Sequence, residues 1–346
     1  MIHVNRLEVP RYTATPIESM AALSRALGVT NQHLAAVAAK ASSLYRVADK
    51  IEKADGTLRE TFDAKPVLKD IHRRIKLAIL DRVSFPNYLT GSVKGQDYRT
   101  NALLHRNSKI LISEDIQGFF PSTTQHLVQE IWSQFFGFSA DVAQCLTALC
   151  TKDGALPQGA ITSPHIANLV FWRVEPAIRA EMAFRGLRYS RYVDDVCVSS
   201  STGIAHADKQ SVISVIYAML ARHGYSAKRS KHKIQTASGR ITATKLGVNG
   251  DPSLSGQQRG QIRAAVHKLE LTFAAGAFSD ARALLPSVTG RVSMLARFHS
   301  TEGQALKQRI ASVREQLLLV PMVTRADDAT HKAIRDSVDD ISTVPW

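Results

Sequence analysis

Residues 190–200, "SRYVDDVCVSS", set two adjacent carboxylates, Asp194 and Asp195, between two short runs that alternate like β-strands. Asp is depleted in strands, and neighbouring like charges repel. A hairpin turn accounts for the pair by itself, since Asp favours turns. The same doublet recurs at Asp327-Asp328 and Asp339-Asp340, in what reads as a polar helix. A further reading comes from "SKILISEDI" (108–116), an apolar strand that runs into Asp115 well upstream. If strand and hairpin lie side by side, three carboxylates converge at one sheet edge. That crowding is costly unless cations neutralise it.

Oxygen-only ligands suit Mg²⁺, which takes one or two protein carboxylates and completes its shell with water and phosphate. Two such ions about 3.5–4 Å apart can activate an attacking hydroxyl and stabilise a leaving pyrophosphate. That is the chemistry of nucleotide addition, and the charge of the chain agrees with it. Among 346 residues, 44 Lys and Arg stand against 30 acids, a formal net charge of +14. From Lys209 to Gly250 there is no Asp or Glu, while Lys209, Arg222, Lys228, Arg229, Lys231, Lys233, Arg240 and Lys245 all fall inside. A polyanionic partner is expected, nucleic acid before membrane, because no basic amphipathic anchor stands out.

The remaining composition, 45% hydrophobic and 21% charged, is that of a globular protein able to bury a large core. Cys145, Cys150 and Cys197 form no CxxC, and no Cys/His grouping has zinc-ligand spacing. "MIHVNRLEVPR" lacks a signal-peptide core, and no run reaches the roughly 18 apolar residues of a membrane span. A soluble, cytoplasmic protein is expected. No GxxxxGK[ST] or GxGxxG occurs, which removes the P-loop and dinucleotide-binding readings.

Along the chain the pattern predicts helices over "SMAALSRALG", closed by Gly28, and "TNQHLAAVAAKASSLYRVADK", opened by Thr30 or Asn31. A hairpin about Asp55-Gly56 follows, then a helix over "PVLKDIHRRIKLAILDRV". After the strand ending at Asp115 come a helix capped near Ser122 and another over "SADVAQCLTALC". A "LPQGAITSP" loop leads to a helix over "HIANLVFWRVEPAI". The Asp194-Asp195 hairpin, a helix at 206–222 and short strands to Val248 complete the sheet, and residues from about 251 onward read as helical. The order is α+β, a small sheet with packed helices and a helical C-terminal third.

The succession "SEDIQGFFPS" (113–122), "LPQGAITSP" (156–164) and "YVDD" (192–195) resembles reverse transcriptases, whose palm carries these three motifs in this order. The likeness extends to "YRVADKIEKADGTLRETFDAKPVLKDIHRRI" (45–75), similar to the fingers hairpin and following helix of retron and group II intron enzymes. "GYSAKRSKHKI" (224–234) is similar to the motif with a lysine near the triphosphate, and "GRVSMLARFHSTEGQALKQRI" (290–310) to the thumb. "NALLH" (Asn101, Ala102, His105) matches the retron NAxxH signature. The Val-Thr-Gly triplet usual in retron enzymes reads Ala243-Thr244-Lys245 here, and Val288-Thr289-Gly290 lies instead in the thumb-like segment.

The resemblance implies a right-hand polymerase fold: N-terminal helices and fingers over 1–105, palm over 106–250 with a fingers segment near 123–160, and a helical thumb over 251–346. It implies an RNA-directed DNA polymerase using dNTPs and two Mg²⁺ ions. Asp115, Asp194 and Asp195 would be the metal ligands, joined by the main-chain carbonyl of Ile116. Phe120 would be the steric gate against a ribose 2′-hydroxyl. Gln158 and Gly159 would line the incoming nucleotide, Lys53 and Arg59 would grip its triphosphate, and Lys231 would protonate pyrophosphate. Asn101, His105, Lys228, Arg229 and Lys233 would contact nucleic acid. A structured non-coding RNA as template and primer, its DNA product, a separate effector protein and a bacterial anti-phage setting complete the expectation. Another defence-associated or group II intron-like reverse transcriptase, or a non-catalytic RNA-binding scaffold on the same fold, remain as alternatives.

Overall fold

The computed structural model describes residues 8–52, 56 and 58–321, which form two units dividing between Pro252 and Ser253. Lys53 and Asp55 of the expected fingers hairpin, both later Asp-Asp doublets and the helical expectation beyond 321 lie outside the described residues.

The first unit opens with β1 (Arg11–Tyr12), α1 (Met20–Leu27) and α2 (Asn31–Ala38). Ser19 and Thr30 cap the two helices by accepting from Ala22 N and His33 N, and α1 stops at Gly28, whose φ of 62° is left-handed. The second helix ends twelve residues earlier than the expected Lys50; a 3₁₀ turn (Ala41–Leu44) follows, and from Tyr45 the chain takes the hairpin expected about Asp55-Gly56, β2 (Tyr45–Glu52) pairing with β3 (Leu58–Ala64). Tertiary pairing overrides local helix propensity there. Next come α3 (Pro66–Ala78), β4 (Val83–Ser84), which pairs with β1, and α4 (Tyr98–Leu104).

β5 (Ile110–Asp115) is followed by a single turn, α5 (Phe119–Ser122), and then by α6 (Gln125–Glu130). The cap of α6 is Thr124, not Ser122: its hydroxyl accepts from Leu127 N. After α7 (Ala140–Cys150), the expected long helix over "HIANLVFWRVEPAI" is instead α8 (Ser163–Ala167), a run of turns, and α9 (Glu175–Phe184). β6 (Arg188–Tyr192), β7 (Asp195–Ser200), α10 (His206–Arg222), β8 (Lys233–Thr236), β9 (Thr242–Ala243) and β10 (Leu246–Gly247) complete the unit.

An antiparallel sheet of order β6-β7-β5-β8 carries the candidate site. One continuous apolar core runs from Ile17 to Tyr225, through Trp132, Phe171 and Val198. The second unit packs α11 (Gly256–Ala274), α12 (Phe278–Ala296) and α13 (Ser300–Leu319) around Val266, Leu269, Val292, Leu295 and Ile310. Val288-Thr289-Gly290 lies inside α12, with Val288 buried, so this triplet is helical packing. Among the described residues no helix is long and apolar enough to cross a membrane.

Candidate active site

The central strand β5 pairs with β7 in a register that sets Asp115 opposite Asp195. β6 and β7 are joined by only two residues, Val193 and Asp194, so the turn itself delivers the second carboxylate. Ile116 N donates to Asp194 O at 2.9 Å, which ties the turn to the end of β5. The N–H and C=O of one strand residue point to the same side, so the Ile116 carbonyl also faces the hairpin. On the other edge, Lys228 N donates to Asp115 O at 2.7 Å, bringing the basic segment 228–233 alongside. Lys231, at the end of a 3₁₀ turn, forms an ion pair with the Asp115 carboxylate.

The electrostatics follow from this crowding. Burial first, then the Asp115 charge, raises the Asp194 carboxyl above its ordinary value. Asp195 is pushed up to about 6, by burial and then by Asp194 and Asp115, whose carboxylate lies within hydrogen-bonding reach. Lys231 and Arg59 oppose the rise at Asp194. Lys231 is itself raised; burial works against this, and the three carboxylates outweigh it. The site is short of positive charge and offers oxygen donors alone, which fits divalent cations of the Mg²⁺ type. Among the described residues no three acidic, His or Cys side chains converge closely enough to enclose an ion by themselves.

Phe120 is half-buried on α5, tilted against Phe119 with centroids 5.8 Å apart. Arg59 is exposed on β3. Gln158 accepts from Phe62 N through its main-chain oxygen at 2.7 Å. Gly159 has φ +107°, and a Cβ there would meet Phe62 O at 2.6 Å, so the approach that demands glycine is to strand β3. Arg229 and Lys233 are exposed and Lys228 is half-buried.

Asn101 and His105 correct the expectation that they contact nucleic acid: both are 0% exposed. His105 Nδ1 and Nε2 lie 2.7 Å from Ser199 Oγ on β7 and Ser190 Oγ on β6. Ser190 donates its one proton to Asn101 Oδ1, so Nε2 carries the imidazole hydrogen and Nδ1 accepts from Ser199. Burial, then the Arg188 charge, lowers His105 to about 3 and keeps the ring neutral. The NAxxH residues bolt α4 to the β6–β7 hairpin from inside. At the departing triplet, Thr244 and Lys245 form a two-residue hairpin turn with φ 46° and 68°. Thr244 Oγ1 donates to Tyr98 O at 2.7 Å. Glycine would occupy position 245 without strain.

Sequence reasoning missed Arg191, Glu175, Asn168 and Gly91, a buried group packed behind the turn. An arginine inside an alternating strand next to the acidic doublet was the one signal available.

Residues 51–263 match the family model described as reverse transcriptase (RNA-dependent DNA polymerase). The chain belongs to the reverse transcriptase family. It is 32% identical over 262 residues to the retron Se72 reverse transcriptase of Salmonella heidelberg (strain 579083-10), covering 75% of this chain and 69% of that one. It is 29% identical over 340 residues to the retron Ec48 reverse transcriptase of Escherichia coli, covering 94% and 81%. The retron Ec86 reverse transcriptase of Escherichia coli is 28% identical over 181 residues, covering 52% and 56%. This reverse transcriptase is therefore of the bacterial retron type, an RNA-directed DNA polymerase.

Proposed function

We propose that this reverse transcriptase copies a structured non-coding RNA, serving as template and primer, into DNA by two-metal-ion nucleotidyl transfer. The observation that carries the reading is the in-register pairing of Asp115 with Asp195, with Asp194 in the turn and Lys231 against Asp115. In this reading residues 8–105 supply fingers, 106–250 the palm with a fingers segment near 123–160, and 251–321 the described part of the thumb. Asp115, Asp194, Asp195 and the Ile116 carbonyl would hold two Mg²⁺ ions, which when bound supply Lewis-acid activation of the primer hydroxyl and charge neutralisation at the triphosphate.

The protein's own groups do the rest. Arg59 reaches the triphosphate with a guanidinium suited to paired phosphate oxygens. Lys231, held protonated by the carboxylates, would give a proton to departing pyrophosphate. Phe120 occupies the space a 2′-hydroxyl would need, while Gln158 and Gly159 line the nucleotide from the loop joined to β3. Lys228, Arg229 and Lys233 hold template or primer phosphates, contributing affinity without sequence information. A separate effector protein and an anti-phage role complete the proposal by likeness to retrons.

The test is dNTP incorporation on a primed RNA template with Mg²⁺, comparing the natural protein with Asp194→Asn. That variant removes a charged ligand and almost no volume, so incorporation should fall by more than about 10²-fold while RNA binding stays nearly intact. Near-normal incorporation by Asp194→Asn would overturn the two-metal reading.

A further inference from the structure

Val193 adopts φ 60°, a left-handed conformation that a β-branched residue rarely holds without support. Three groups behind it supply that support. Gly91 lies so close that a Cβ would fall 2.5 Å from Val193 N and 2.6 Å from its Cγ2. Arg191 Nη1 donates to Val193 O at 3.1 Å. The guanidinium, 0% exposed, is held through Nε and Nη2 by both carboxylate oxygens of Glu175, at 2.7 and 2.8 Å. Nη2 also donates to Asn168 O at 3.0 Å, and Asn168 Nδ2 donates to Gly91 O at 2.7 Å, closing the group on itself. Phe119 and Phe171 flank the guanidinium, with centroids 5.9 and 5.3 Å away.

A buried ion pair is weak evidence for stability, since well-packed apolar residues of similar volume often do as well. Apolar residues cannot donate to the carbonyl of a strained turn. We propose that Arg191, locked by Glu175 and backed by Gly91, is a positioning residue that aims Asp194 and Asp195 by holding Val193 in its left-handed conformation. The inference rests on the metal-binding reading of those carboxylates.

Arg191→Met combined with Glu175→Gln removes both charges together, so neither is stranded, and leaves an amide oxygen for the Tyr189 hydroxyl that now donates to Glu175 at 2.8 Å. In the folded double variant, kcat for dNTP incorporation should fall about 10- to 100-fold with the dNTP KM within about threefold. The Kd for Mn²⁺, read from the free-ion electron paramagnetic resonance signal without nucleotide or RNA, should rise about tenfold or more. Adding Val193→Gly, which adopts positive φ freely, should recover most of both losses. A folded double variant with kcat and Mn²⁺ affinity within threefold of the natural protein would overturn the proposal, as would losses that Val193→Gly leaves untouched. If the double variant fails to fold, Gly91→Ala displaces the turn with the ion pair intact and should show the same two losses; normal values there overturn it. Asp194→Asn runs alongside: full activity in that control would fail the metal reading itself, whereas an inactive control beside a normal cradle variant would fail this inference alone.

Discussion

His105→Ala separates a structural role for the NAxxH residues from a nucleic-acid role. The imidazole makes two buried hydrogen bonds of 2.7 Å, to Ser190 and Ser199. Each is worth about 1–1.5 kcal/mol net, and the vacated ring volume adds roughly 1–2 kcal/mol, so the first unit should lose about 3–5 kcal/mol. That is a large share of the roughly 5–15 kcal/mol typical of a folded protein. Urea unfolding followed by tryptophan fluorescence reads this unit, because Trp132 is fully buried within it. RNA affinity of the still-folded variant at low temperature should stay within about twofold. The charge state gives a second handle. Folding holds His105 at about 3, below its ordinary 6.5, so between these values the unfolded chain binds the extra proton. Stability from this residue is therefore complete above pH 6.5 and lost as pH falls toward 3. At pH 5 the loss is about 2 kcal/mol, and the variant should lack that part of the slope. An unchanged urea midpoint together with RNA binding weakened tenfold or more would refute the reasoning and return His105 to the nucleic-acid surface.

Phe120→Ala should raise ribonucleotide use relative to deoxynucleotide use, read as the ratio of kcat/KM values; an unchanged ratio in a folded variant would return Phe120 to packing alone. Arg229→Ala with Lys233→Ala, both exposed beside the site, should reduce the slope of log K against log salt by about 0.7 per lost phosphate contact on single-stranded RNA, and an unaltered slope would remove them from the interface. Without divalent ions, the raised carboxyl of Asp195 means that the folded state keeps a proton the unfolded chain has released, so its contribution falls as pH rises from about 4 to about 6. Asp195→Asn should flatten that part of the thermal-melting profile, as should saturating Mg²⁺; a profile identical to the natural protein's would contradict the assigned crowding.

The sequence by itself was enough to indicate a polymerase: three carboxylates on a strand and a hairpin, a loop glycine between them, and an acid-free basic run. Those signals are local. Alternation marks strands, Asp and Gly mark turns, and charge accumulates along the chain whatever the fold. Motif order was therefore enough to indicate the family and the α+β class. The sequence was a poorer guide where one segment's conformation depends on another. Residues 46–50 fall within both the helix expected over 30–50 and the hairpin expected about Asp55-Gly56, and pairing with β3 decides for strand. The segment 165–178 broke into turns around Asn168, whose main-chain oxygen receives Arg191. The NAxxH likeness points Asn101 and His105 to nucleic acid but carries no information on burial; only the closure of the sheet over them supplied Ser190 and Ser199 as partners. The same holds for Gly91 and Glu175, distant in sequence from the acidic doublet and without a motif of their own. Their meaning lies in Glu175 oxygens 2.7 and 2.8 Å from Arg191 and in a Gly91 backbone so near Val193 that a Cβ would not fit, contacts that exist only once the chain has folded.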